Sequence, residues 1–346
     1  LKYYIRMKAS SLITAFISIL ITAVLLFPLS HGEITAGMFM GLVNGMLSLI
    51  QMMSWTLSYI TSQLANHREY LKDLTAFCQL SETDGALDLP TEPDKLTFES
   101  IEFKNVSFRY PGTDRYILKD FNLKLEKNLH YAFVGVNGAG KTTIVKLLTG
   151  MYDDFEGDIL INGRSIRKYS QADLKGLFAV VYQDFARYYV TVKDNIALGN
   201  VLRRDEEAIK EAASLIGLDN TIRNLNNGMD TYLGKIKENS VDLSGGEWQR
   251  LAIARALYNP ALVRILDEPT AALDPVAESN IYEMFGRISA GKSTIFITHR
   301  LGAARLADEI IVIDEGKVKE KGSHEKLLSM GGIYAEMFEA QRSWYQ

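Results

Sequence analysis

The chain has 346 residues, 47% of them hydrophobic, and a formal net charge of −4. That length accommodates two domains, and the slightly acidic balance argues against a nucleic-acid binder with a large basic surface. The single cysteine, Cys78, excludes an internal disulfide and any cysteine-rich zinc site, and the five histidines show no metal-ligand spacing.

Charge is unevenly distributed. From Ser10 to Asn66 the only charged side chain is Glu33, with His31 taken as neutral, whereas beyond Leu80 charges are frequent. The chain opens on Leu1, and a hydrophobic segment begins almost at once, which suggests the interior of a longer polypeptide. A signal peptide does not fit, because the apolar run is too long and lacks a small-residue cleavage site. Residues 11–29 form an uncharged run long enough to cross a bilayer as a helix. Pro28-Leu29-Ser30-His31-Gly32 should break it. A second uncharged stretch, about 34–65, can span a membrane and continue beyond it. Asn44, Gln51 and Gln63 dot this stretch and suggest a face toward other helices or a water-filled path. Lys2, Arg6 and Lys8 precede the first helix, Arg68 and Lys72 follow the second, and the turn between has no Lys or Arg. Both outer ends therefore read as cytosolic and the turn as external. A buried helical hairpin of a soluble protein is the bland alternative, but two long charge-free stretches with this asymmetry argue against it.

Residues 81–97 read as an exposed linker, with Gly85, Pro90, Pro93 and several acidic residues. An alternating strand pattern follows at Ile101, Phe103, Val106, Phe108 and Tyr110, and another at Phe121, Leu123 and Leu125. Tyr131 to Val134 is a buried strand. The run Ile159-Leu160-Ile161 ends in the turn dipeptide Asn162-Gly163. Residues 262–266, 294–298 and 310–313 are further short strands. Helical patterns between them point to a mixed α/β sheet. Residues 205–217 and the segment after Gly246 read as an inserted helical region.

Three segments carry chemistry. Gly135-Val136-Asn137-Gly138-Ala139-Gly140-Lys141-Thr142 is a phosphate-binding loop, or P-loop, running from a strand into a helix. Its glycines let backbone N–H groups approach phosphates, Lys141 supplies charge, and Thr142 offers a hydroxyl to Mg²⁺. Thr143 follows in the same helical turn. Leu266-Asp267-Glu268 places two carboxylates at a strand end, where one can serve the metal and the other can polarise water. An isolated Asp-Glu pair would read as a solvated turn; the P-loop upstream favours the chemical reading. Between them, Leu243-Ser244-Gly245-Gly246-Glu247-Trp248-Gln249-Arg250 opens a second helix with another set of backbone N–H groups for phosphate. One nucleotide on one chain has no obvious need for two such cradles. Two facing chains do.

On these motifs, residues 98–342 resemble the nucleotide-binding domain of an ATP-binding cassette (ABC) exporter. The resemblance implies an α/β P-loop NTPase fold, with a mixed sheet core plus a helical subdomain, preceded by an all-α transmembrane helix pair in residues 1–80. It also implies a six-helix membrane domain, so four further helices are expected upstream. By family position, Tyr110 would stack on adenine, and Gln183 would contact Mg²⁺ and water. Ser244, Gly245 and Gly246 would form the signature cradle. Asp274, in Ala272-Leu273-Asp274, would cross the dimer interface, and His299 would contact the γ-phosphate. The implied cofactors are ATP and Mg²⁺, with Thr142, Gln183 and Asp267 toward the metal. Glu268, His299 and Gln183 are the catalytic candidates, and Gly135, Asn137, Gly138, Ala139, Gly140, Lys141, Thr142 and Thr143 cradle the nucleotide. The implied partners are a second half-transporter chain, membrane lipid and a transported substrate, with no nucleic acid. The implied location is a plasma or inner membrane with the cassette in the cytosol.

Three positions depart from the family pattern. Glu247 stands where Gln is commonest, Tyr232 to Glu238 replaces a usual Gly- and Glu-rich segment, and Arg264 interrupts an apolar strand. A charge buried there would need a partner or a place near a sheet end. The alternative functions are a soluble ABC ATPase and a regulatory partner in a heterodimeric transporter.

Overall fold

The structure, a computed structural model, describes residues 2–80, 84–269, 286 and 291–343, with side chains from residue 15 onward. The chain divides into two compact units, Leu1–Glu82 and Thr83–Gln346.

The first unit is a helical hairpin of α1 (Lys2–Ser30) and α2 (Ala36–Cys78). Pro28 does not break α1 but lies inside its last turn. Proline removes its own N–H and crowds the preceding turn, so the residues after it can still complete the helix. Thr35 then caps α2 by accepting a hydrogen bond from the Met38 N–H at 3.2 Å. At 43 residues, α2 is about 65 Å long, roughly twice a hydrocarbon core, so it extends well past residue 65. An 18-residue window within it reaches a mean hydropathy of 1.4, and among the described residues it alone is long and apolar enough to cross a membrane. None of its residues is buried, and Met53, Trp55 and Leu57 stand exposed. Exposed apolar side chains of this size along its uncharged part suit lipid or neighbouring helices.

The second unit is built on two sheets. Four antiparallel strands lie in the order β2-β1-β4-β5, with β1 Ser100–Phe108, β2 Leu118–Glu126, β4 Glu156–Ile161 and β5 Arg164–Ser165. Six strands lie in the order β10-β9-β3-β8-β7-β6, comprising β3 His130–Val134, β6 Phe178–Val181, β7 Val263–Asp267, β8 Ser293–Ile297, β9 Glu309–Asp314 and β10 Lys317–Gly322. Only the β9–β10 pair is antiparallel in this larger sheet. Asn162 and Gly163 turn the chain from β4 to β5 with φ of 53° and 77°, the paired positive angles of a tight hairpin.

The parallel strands are covered on both faces, which is why they read as nearly continuous apolar runs. Tyr131 and Phe133 enter one core with Ile295, Ile297, Ile311 and Ile313; Ala132 and Val134 enter the other with Leu266, Phe296, Ile310 and Val312. Helix α3 (Lys141–Leu148) fills the first core against β1 and β2. In chain order come α4 (Gln171–Leu177), α5 (Val192–Ala197), α6 (Glu206–Leu215), α7 (Asp219–Arg223) and α8 (Gly245–Tyr258). Residues of α5, α6 and α8, among them Ile196, Ile209, Trp248 and Leu251, pack into the second core. Helices α9 (Leu301–Ala304), α10 (His324–Met330) and α11 (Ile333–Arg342) complete the unit.

Arg264 is the second residue of β7, close to the strand's start, with β6 and β8 on either side. Its guanidinium donates to the Leu257 carbonyl at 3.2 Å, which satisfies part of its hydrogen-bonding capacity. The segment after Thr231 is tied down by bridges Thr191–Tyr232 and Leu233–Val241. Ile236 stays exposed, and the Lys237 ammonium sits 3.5 Å from the centre of the Tyr232 ring.

Candidate active site

The parallel order brings three strand ends together. The C-terminal ends of β3, β8 and β7 lie side by side, with Phe133 and Asp267 both in register with Ile297. Each strand delivers its next residues to the same edge: Gly135 after β3, His299 after β8, Glu268 after β7. The carboxyl edge of a parallel sheet is where open α/β folds build their sites.

Backbone geometry shapes the P-loop. Gly135 has φ 146°, and a Cβ there would meet the Ile313 carbonyl oxygen at 2.0 Å. Gly140 caps α3 at φ 105° with no side chain on the helix N-terminus. Lys141 is buried, and its ammonium donates to the carbonyls of Gly135 at 2.8 Å and Val136 at 3.0 Å. Burial pushes its pKa down, opposed by the nearby Glu268 and Asp267 carboxylates. Ala139 turns its side chain into the core under the loop, so only its backbone is available to a ligand.

Asp267 is fully buried at the end of β7, and neither carboxylate oxygen has a hydrogen bond of good geometry. Burial raises its pKa, with the Thr142 hydroxyl pulling the other way. Glu268 follows in the left-handed region at φ 49°, its N–H donating to Ile297 O at 3.0 Å. That conformation is uncommon for a residue with a Cβ and turns the side chain away from the strand direction. Glu268 Oε1 lies 2.6 Å from His299 Nε2. Burial holds the imidazole below its ordinary pKa, reinforced by the Lys141 charge and opposed by Glu268. At this distance the imidazole Nε2–H donates to the Glu268 carboxylate.

A cleft of ≈ 440 Å³ opens over these groups. It is lined by Tyr110, Asn137, Gly138, Gly140, Lys141, Thr142, Thr143, Gln183, Glu268 and His299, together with Ile117. Tyr110 lies beyond the end of β1, its hydroxyl 3.0 Å from Thr143 Oγ1 and its ring edge-on to Phe108 and Tyr152. Ser244, Gly245 and Gly246 are not among the lining residues; they stand at the N-terminus of α8, with Ser244 exposed. Asp274 lies outside the described residues.

Comparison with known proteins gives this arrangement its family. Residues 118–271 match the ABC transporter family model. The chain carries an ABC transporter ATP-binding domain. It is 38% identical over 313 residues to the subtilin transport ATP-binding protein SpaT of Bacillus subtilis, covering 90% of this chain and 50% of that protein. It is 36% identical over 321 residues to the ATP-dependent lipid A-core flippase of Escherichia coli (strain K12), covering 91% and 53%. Among solved structures it is similar to a bacterial Atm1-family ABC exporter with ATP bound, with a TM-score of 0.68 and 32% identity, covering 96% of this chain and 57% of that one. The chain thus spans about half the length of these relatives.

The cassette holds features that motif spacing does not reveal. Glu247 forms a capping box with Ser244: its Oε2 accepts from the Ser244 N–H at 2.8 Å and from the Ser244 hydroxyl at 2.7 Å, and Ser244 Oγ accepts the Glu247 N–H at 3.3 Å. Its other oxygen accepts from Thr221 at 2.9 Å. The carboxylate that departs from the family's commoner Gln is thus fully engaged. The Ser-x-x-Glu spacing was the available signal, hidden beneath the phosphate-binding reading. Gln249, buried on the same helix, donates to the Glu268 carbonyl at 3.3 Å and ties α8 to the end of β7. Nothing in the sequence separates Gln249 from any other helical Gln, because the contact joins elements distant in the chain.

Proposed function

We propose that the cassette hydrolyses ATP to drive export by a membrane transporter of two facing cassettes. The observation that carries this reading is the group at the sheet edge: the buried Asp267 carboxylate beside Thr142, the Glu268–His299 pair and the Lys141 ammonium beneath one cleft. Lys141 exchanges its loop carbonyls for the β- and γ-phosphates, while the P-loop N–H groups from Asn137 to Thr143 hold the phosphate chain. Tyr110 supplies a face for the adenine ring. Glu268 accepts the proton of the attacking water, held until then by His299. His299 then turns its N–H to the γ-phosphate. Asp267 and Thr142 present buried oxygen donors, and Gln183 adds an amide oxygen, a set that suits a hard divalent cation. Mg²⁺ bound there would neutralise charge on the transferred phosphoryl group.

Ser244, Gly245 and Gly246 serve the nucleotide of the opposing chain, with Asp274 crossing the same interface. Their absence from their own cleft supports this assignment. Residues 1–80 form part of the membrane domain, residues 81–97 the connection and residues 98–342 the cassette. The likeness to SpaT, the lipid A-core flippase and the Atm1-family exporter supports export, with the cassette on the cytosolic side of a plasma or inner membrane.

The test is Glu268→Gln, which keeps size and geometry but removes proton acceptance. Steady-state turnover should fall by about three orders of magnitude while ATP still binds. A purified variant hydrolysing ATP near the normal rate would remove Glu268 from the proposed role.

A further inference from the structure

His299 lies on the loop between β8 and α9 rather than in a regular element. Loops hold functional groups less tightly than strands or helices unless other residues fix them. This loop is gripped by a residue from the far end of the chain. Gln341, in the last turn of α11, donates from Nε2 to the His299 carbonyl and accepts at Oε1 from the Leu301 N–H at 2.9 Å. One planar amide therefore holds a carbonyl and an N–H on either side of Arg300. A side-chain amide carries both a donor and an acceptor in one plane, which a carboxylate or an ammonium does not.

The helix bearing Gln341 is itself fastened. The Glu320 carboxylate, from β10, accepts from the N–H groups of Ile333 at 2.6 Å and Tyr334 at 3.0 Å, capping α11. Tyr334 is fully buried, with its hydroxyl 2.8 Å from His324 Nδ1. Met337 and Phe338 pack against the second core. Gln341 thus acts from a rigid support, and the distance it helps set, 2.6 Å between His299 and Glu268, tolerates little error.

We infer that Gln341 is a positioning residue for hydrolysis: its amide fixes the loop that aims His299. The inference rests on the role given to His299 above. A Gln341 that merely fastened α11 to the cassette would affect nucleotide binding and turnover together. A positioning residue affects turnover and loop order, and leaves binding alone.

The experiment compares Gln341→Ala and Gln341→Glu in the intact polypeptide. Glu keeps the acceptor for Leu301 but sets an oxygen against the His299 carbonyl, so it breaks the bond to His299 without a large change in shape. In both variants kcat should fall about tenfold, with equilibrium ATP affinity within about twofold of the parent. Amide exchange across residues 299–302 should quicken in the nucleotide-free protein, a readout independent of turnover. Turnover within about twofold of the parent in both variants would overturn the inference, as would ATP affinity falling in step with turnover. A parallel His299→Ala variant separates the two levels. If it keeps full turnover, the reading of His299 fails and takes the inference with it. If it is inactive while the Gln341 variants work normally, the inference alone fails.

Discussion

The cassette contains two glycine-rich turns that each open a helix, and they are finished in opposite ways. The P-loop enters α3 through Gly140, with no side-chain cap, and buries the Lys141 ammonium among loop carbonyls. The turn before α8 caps itself, since Ser244 and Glu247 satisfy one another and Ser244 faces solvent. An uncapped helix N-terminus with a cation beside it is prepared for an anion. A self-capped one is stable alone and gives up its internal bonds only when something better arrives. The contrast fits a division in which one turn holds the chain's own nucleotide and the other waits for a partner's.

Mixing tests this contrast most severely. Lys141→Ala chains and Ser244→Arg chains should each be inactive as homodimers, because both sites of each are damaged. Mixed dimers carry one site with both lesions and one with none. ATPase activity should return on mixing if the signature turn acts across the interface. Demonstrable mixed dimers of covalently linked chains that stay silent would break the comparison, provided that a linked dimer with a single lesion is active.

Lys141→Ala by itself should weaken ATP binding by about 2–3 kcal/mol, the range for a charge-assisted hydrogen bond to phosphate. It should not weaken the nucleotide-free fold, since it removes a buried charge that is held by two loop carbonyls. Equilibrium titration and thermal unfolding of the same preparation would check both halves. A variant that lost fold stability but kept ATP affinity would reverse the roles assigned here.

Glu247→Ala addresses the other turn. Loss of the capping box should cost about 1 kcal/mol of stability, read from chemical denaturation. ATP affinity of the isolated chain should be unchanged, because its own P-loop is intact. A large drop in that affinity would mean that the two turns serve one nucleotide in one chain.

Tyr110→Ala should have the smallest effect, about 1 kcal/mol or less in ATP affinity, because stacking on a base is a modest term. The affinities for ATP and GTP should fall together. Unchanged affinity for both would place the base elsewhere, such as along the neighbouring Tyr152, which already packs against Tyr110.

The sequence by itself determined the elements whose signals are local. The strand runs at 131–134, 262–266, 294–298 and 310–313 correspond to β3, β7, β8 and β9, because a strand covered on both faces is apolar at most positions. The loop glycines were legible because only glycine fits where Gly135 approaches the Ile313 carbonyl. The short strands β6 and β10 carried weaker patterns. In β10, Lys317, Lys319 and Lys321 alternate with Val318 and Glu320 along a sheet edge, where solvent tolerates charge. Pro28 misled for a related reason: proline forbids a bond behind it, not a turn of helix ahead of it.

Only the tertiary structure decided how the site is assembled. Strand order, invisible in a linear chain, sets β3, β8 and β7 side by side and brings Lys141, Glu268 and His299 beneath one cleft. It also buries Asp267 beside the Thr142 hydroxyl, pairs Arg264 with Leu257, turns Glu247 onto Ser244 and reaches His299 from Gln341. Each of these contacts depends on a distance between residues far apart in the chain or on a choice between two chemically reasonable partners. Residue type limits what a side chain can bond; packing alone selects which bond it makes.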